Sequence, residues 1–105
     1  PGGPRLLGEA RFVRNASGDE AEMALAVADD CRGQGVADRL MQTLAAAAGA
    51  RGVRRLRAEV ECSNQRMRAF VHRHGFVEAE AVVDAEPGVL TLVRSVPDLR
   101  PRRLH

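Results

Sequence analysis

Apolar and polar residues alternate, with lapses, along Leu6-Leu7-Gly8-Glu9-Ala10-Arg11-Phe12-Val13-Arg14 and again from Glu20 to Ala28. A period of two is that of a strand with one buried face. The turn formers Asn15, Ser17, Gly18 and Asp19 separate the two runs and predict an antiparallel hairpin. The period then changes. After the polar, glycine-bearing stretch from Asp29 to Gly35, apolar residues Val36, Leu40, Leu44 and Ala47 or Ala48 recur at helical spacing, predicting a helix from about Val36 to Arg51. Gly49 weakens that helix and Gly52 stops it. Residues 53–61 return to strand character. Ser63 or Asn64 is placed to cap a second helix whose stripe is Met67, Phe70, Val71 and His74, with Gly75 ending it in the left-handed region. Phe76–Val83 and Val89–Val96 read as two further strands around the Glu86-Pro87-Gly88 turn.

The predicted order is β-β-α-β-α-β-β, a mixed sheet of the α/β (α+β) class. Strand, helix and strand over 20–61 predict a right-handed parallel crossover. Residues 1–96 form the expected domain, and 97–105, rich in arginine and proline, a mobile basic tail. The first strand starts so early that one of its edges is left without a partner. Such edges are normally covered, so the expectation is a strand and helices ahead of Pro1, a fused N-terminal domain, or a strand shared with a second copy.

Composition narrows the classes. With 105 residues there is room for one small core, and 45% hydrophobic with 29% charged residues is ordinary for a folded soluble chain. No apolar run reaches the ~20 residues that span a bilayer, and Pro1-Gly2-Gly3-Pro4-Arg5 is unlike a signal peptide. No membrane role and a cytoplasmic location are expected. Cys31 and Cys62 show no metal spacing, so neither a metal nor a disulfide is expected, and small buried thiols are the plain reading of both. All 16 basic residues are arginine, but the net charge is only +2. Arginines 51, 54, 55 and 57 read as a solvated surface, and three phenylalanines offer no stacking platform, so nucleic acid is not an expected partner.

The segment Arg32-Gly33-Gln34-Gly35-Val36-Ala37 carries the candidate chemistry. Glycines let the backbone turn sharply and approach a ligand. A helix begining there offers unpaired N–H groups and a positive dipole end, which suit a phosphate, and Arg32 can add a charge-assisted contact. A Walker loop would need a lysine, and the chain has none. A dinucleotide loop would follow its strand directly and carry a third glycine where Asp38 stands. A glycine turn that merely starts a helix is the bland alternative.

The six residues match the Q/R-x-x-G-x-G/A signature of the GNAT superfamily of N-acetyltransferases. Asn64 through Phe76, beginning with Asn and closing on Gly75-Phe76, resembles that family's second conserved helix. Softer similarities point to bacterial protein lysine acetyltransferases with a fused synthetase-like or cyclic-nucleotide-binding domain: Ala21-Glu22-Met23-Ala24, Glu59-Val60, and Asp84 to Val89. The resemblance implies a GNAT fold lacking its N-terminal strand and helices, with acetyl-CoA as cosubstrate. It implies direct attack of a primary amine, a protein lysine, on the thioester within a ternary complex. By the same resemblance the pyrophosphate lies on the amides of Gly33, Gln34, Gly35, Val36 and Ala37, beside Arg32. Val27 pairs with the pantetheine arm and polarises the thioester carbonyl, and Asn64 contacts the cofactor as well as capping its helix. Glu22 is the expected general base, with Glu20 in reserve, because a lysine amine with a pKa of about 10.4 must lose a proton before it attacks.

The sequence also departs from the pattern. The helix position where many relatives carry a tyrosine is Val71, and the chain contains no tyrosine. A CoA thiol resembles cysteine, with a pKa of about 8.5, and can leave without a dedicated acid. His72 and His74 are nearby, His74 within the apolar stripe. The alternative function is a non-catalytic, regulatory acyl-CoA-binding domain.

Overall fold

A computed structural model describes residues 8–27, 35–79 and 86–101, the Val27 side chain excepted. The elements follow the predicted order: β1 Gly8–Arg14, β2 Glu20–Val27, α1 Val36–Ala50, β3 Arg55–Glu61, α2 Gln65–Arg73, β4 Val77–Glu78 and β5 Val89–Ser95. They make a five-stranded sheet ordered β1-β2-β3-β5-β4 among the described residues. The hairpin runs from Gly8↔Val27 to Arg14↔Ala21, and β2 and β3 are parallel as expected. The long fourth strand expected over 76–83 is only two residues long here, and the rest of that stretch lies outside the described residues.

One sheet face is apolar. Ala21 and Met23 of β2, Leu56, Ala58 and Val60 of β3 and Leu92 of β5 enter one core with Met41, Leu44, Ala45 and Ala48 of α1 and Phe70 and Val71 of α2. The register keeps these residues together: Phe12 opposes Met23, Ala21 opposes Leu56, and Ala58 opposes Leu92. The other face carries Glu20, Glu22, Arg55, Arg57 and Glu59, and no buried charged residue is found among the described residues. This is the alternation of a sheet with one packed and one wet face.

The α1 stripe is rotated slightly from the expected one. Met41 is fully buried, whereas Val36 and Leu40 are half-buried and Ala48 rather than Ala47 faces the core. Gly49 does not end the helix. It is buried in the last turn, where a Cβ would stand 2.5 Å from the Pro97 carbonyl oxygen. Residues 97–101 of the expected tail lie along this end of α1, and Leu99 donates its N–H to the Gly49 carbonyl at 3.2 Å. Residues 102–105 fall outside the described residues.

Candidate active site: a wedge between two parallel strands

The sheet consists of two full ladders joined by a short zipper. β1 and β2 pair along their whole length, as do β3 and β5 from Arg55↔Ser95 to Glu61↔Val89. Between β2 and β3 the pairing stops after Glu20↔Arg55, Ala21↔Leu56 and Glu22↔Arg57. Past that point β2 continues to Val27 and β3 to Glu61 with no ladder between them. Their facing backbone edges are left with no cross-strand partner among the described residues. Unpaired edge amides and carbonyls can accept an extended ligand as an added strand.

The helix that follows β2 has an open N-terminus. Gly35 is its N-cap at φ +76°, a conformation in which a side chain would be strained, and no side chain among the described residues caps the helix. The first intrahelical bond runs from the Arg39 N–H to the Gly35 carbonyl at 3.1 Å. Among the described residues, none accepts from the amides of Val36, Ala37 or Asp38. Among the described residues nothing competes with an anion for these three donors and the dipole end. Gly35, Val36 and Ala37 are placed as expected, while Arg32, Gly33 and Gln34 lie outside the described residues. For Val27 the backbone is described, opposite Gly8 at the end of the hairpin.

Glu22 stands in the last rung of the zipper, exposed on the wet face, and makes no ion pair or hydrogen bond among the described residues. Its cross-strand neighbour Arg57 turns instead to Glu59, 3.6 Å away, and the Arg57 Nε is buried without a hydrogen-bond partner among the described residues. Glu20, the reserve base, is engaged with Arg55 at 3.8 Å. Across the wedge, the turn after β3 leads to Asn64, whose side-chain oxygen accepts the Met67 N–H at 3.1 Å as the N-cap of α2. Its amide NH2 makes no hydrogen bond among the described residues. Cys62, expected to be buried, is exposed on this same turn because its position follows the strand end rather than the core face.

Val71 is wholly buried, so this position of α2 serves the core. His72 is exposed, whereas His74 is held: its Nε2 lies 2.6 Å from Asp38 Oδ1, and its ring is 4.7 Å from that of Phe70. Arg73 Nη2 reaches the same Asp38 oxygen at 2.8 Å. These bonds to Arg73, and then to His74, hold the Asp38 carboxyl below its ordinary range. The cluster joins the first turn of α1 to the end of α2. Nothing in the sequence signals it, because its members are 35 and 36 residues apart.

The sequence profile of the acetyltransferase (GNAT) family matches residues 3–76, most of the chain. The chain belongs to the GNAT acetyltransferase family. Members of this family are N-acetyltransferases with acetyl-CoA as cosubstrate, and the wedge and open helix end described above fit that ligand. A relative, Acetyltransferase Pat of Mycolicibacterium smegmatis, is 40% identical over 73 residues, which is 69% of this chain and 22% of that protein. The chain thus spans about a fifth of that relative. The solved GNAT domain of S. lividans PAT is 33% identical with a TM-score of 0.79, covering 91% of this GNAT chain and 57% of that one. A cAMP-binding acyltransferase from Mycobacterium smegmatis is also 33% identical, with a TM-score of 0.70, covering 92% and 29% of the two chains.

Proposed function

We propose that this chain binds acetyl-CoA in the wedge between β2 and β3 and transfers the acetyl group to a primary amine, a protein lysine, by direct attack in a ternary complex. The observation that carries this reading is the parting of two parallel strands beside an uncapped helix N-terminus. One feature takes an extended arm, the other its diphosphate. The lysine acceptor rests on the sequence resemblance to protein lysine acetyltransferases and on the identity to the Pat protein. These 105 residues contain no lysine, so the acceptor lysine lies outside them.

In this mechanism the amides of Gly33, Gln34, Gly35, Val36 and Ala37 hold the diphosphate, with Arg32 adding charge. The inner edge of β2, out to Val27, pairs with the pantetheine arm. Glu22 and Val27 are five residues apart, about 17 Å along an extended strand, so they cannot both address the reacting centre. Glu22 at the apex of the wedge marks that centre. The amides just after it, at Met23 or Ala24, then polarise the thioester carbonyl, and Val27 serves the arm nearer the diphosphate. The Asn64 NH2 donates to the cofactor from the β3 side.

Glu22 takes the proton of the incoming ammonium, directly or through water. The amine nitrogen bonds to the carbonyl carbon, the carbon–sulfur bond breaks, and CoA leaves as thiolate, which takes up, through water, the second proton that the nitrogen sheds as the amide forms. No group on α2 is required as an acid, in keeping with the buried Val71.

The test is release of CoA thiol from acetyl-CoA in the presence of a lysine peptide, paired with calorimetric titration of acetyl-CoA. Glu22→Gln is expected to lower turnover at least about 100-fold while leaving acetyl-CoA affinity nearly intact, and to change the pH–rate profile. An unchanged profile removes Glu22 from the role. Tight binding without thiol release for any amine would convert the reading to the regulatory acyl-CoA binder.

A further inference from the structure

We propose that Arg73 is the counter-charge that lets the first turn of α1, which carries Asp38, accept a diphosphate, with His74 holding Asp38 in place. The inference rests on the reading of that turn as the cofactor site.

Asp38 is the acidic residue of the first turn of α1, and Arg39, next to it on the helix, makes no ion pair with it. Its position is favourable for the isolated helix, since a carboxylate complements the positive dipole end. It is unfavourable for an incoming anion. Asp38 lies three residues from Gly35, about 4.5 Å along the helix axis, so an uncompensated charge there repels a diphosphate bound by the same amides. For unit charges about 8 Å apart this repulsion weakens binding roughly two- to thirtyfold as the effective dielectric constant goes from that of water to about 20.

Two groups from α2 meet this charge. Arg73 Nη2 lies 2.8 Å from Asp38 Oδ1, and the His74 Nε2 lies 2.6 Å from the same oxygen. The two have different roles because their surroundings differ. The Arg73 side chain is 61% exposed and tethered chiefly through Asp38 and the Phe70 ring, 5.4 Å from its guanidinium carbon. The His74 side chain is only 13% exposed and packs against Phe70, so it is an anchor fixed by the core. Arginine supplies charge at every relevant pH. Histidine supplies the geometry.

The arrangement accounts for an otherwise costly choice. An acidic residue stands in a helix turn meant for phosphate, and it is tolerated because α2 neutralises it. The same contact ties α2, whose other end carries Asn64, to α1, so both walls of the cofactor site are referred to one ion pair.

The experiment compares the protein with its Arg73→Gln, Arg73→Lys, Asp38→Asn and Asp38→Asn/Arg73→Gln variants, titrating acetyl-CoA and, separately, inorganic pyrophosphate. The expected result is a roughly two- to thirtyfold weaker Kd for both ligands in R73Q at about 0.01 M salt. The deficit shrinks toward nothing at about 1 M, where the Debye length falls from ~30 Å to ~3 Å. R73K largely rescues it, and D38N/R73Q restores the affinity because the charge to be balanced is gone. In turnover the loss appears in KM for acetyl-CoA rather than in kcat. Arg73 is surface-exposed, and thermal unfolding of each variant verifies that the fold persists.

A double variant as weak as R73Q overturns the inference, since Arg73 would then touch the ligand itself. An R73Q deficit that ignores salt overturns it as well, marking a packing role, and so does an unchanged R73Q. If the unaltered protein binds neither ligand, the cofactor reading itself falls. That outcome is distinct from all the others.

Discussion

At the scale of single residues, the carboxylates of this chain are governed by what donates to them. Asp98 is held well below the ordinary carboxylate range first by the Arg100 side chain, with Nη2 at 2.7 Å, and then by the Arg100 backbone N–H. Asp38 is lowered by Arg73 and His74, and Asp19 by the Ser17 hydroxyl, which donates to it in the β1–β2 turn. A carboxyl with a lower pKa folded than unfolded leaves the native state with fewer bound protons. Its contribution is complete above the unfolded value of about 3.9 and disappears as pH falls through the folded value. Urea unfolding between pH 6 and pH 2 should therefore show stability declining below about pH 4. Asp98→Asn should flatten part of that decline. These groups are solvent-exposed, so each contribution is small. A wild-type profile that does not change below pH 4 would overturn the prediction.

At the scale of elements, α1 is set by contacts at its two ends that its own periodicity does not contain. The sequence marks Gly49 as a weak point of a helix. The structure makes it a place of close approach, where the Pro97 carbonyl and the Val96 and Leu99 side chains occupy the space of a Cβ. Gly49→Val must displace the 97–101 segment or the helix end. It should lower stability by about 1–3 kcal/mol, the usual result of overpacking, read as an earlier thermal midpoint. Should the variant melt with the wild type, the contact between α1 and residues 97–101 has no energetic weight. The N-cap of α2 was legible beforehand, because an Asn ahead of a periodic stripe has a local reason to be there, and Asn64 does accept from Met67. The Asp38 cluster was not legible, because it depends on how α1 and α2 come together.

At the scale of the whole molecule, the decisive feature is the incomplete seam between two well-paired halves of one sheet. Backbone amides of β3 that pair with β5 should be slow to exchange with solvent. Those on the β2–β3 inner edges beyond Glu22 and Arg57 should exchange fast in the free protein. Acetyl-CoA at saturating concentration should slow the inner-edge amides together with those of Val36, Ala37 and Asp38. Protection confined to the helix end would place the diphosphate there but leave the strand-pairing arm without support. No change anywhere would remove both.

The sequence by itself determined the element order, the hairpin, the two helices and the family, because each is written in local spacing: alternation, helical recurrence, glycines at turns and two segments that resemble the family's pattern. It also pointed to Gly35, Val36 and Ala37 as the start of an anion-binding helix, since glycine placement and helix ends are local matters. Only the tertiary structure decided that β2 and β3 separate after three rungs, that Glu22 stands at the apex with no ion pair among the described residues, and that Asp38 is balanced from α2. Those facts depend on pairing between distant segments, and long-range pairing depends on how whole elements pack rather than on any run of neighbouring residues.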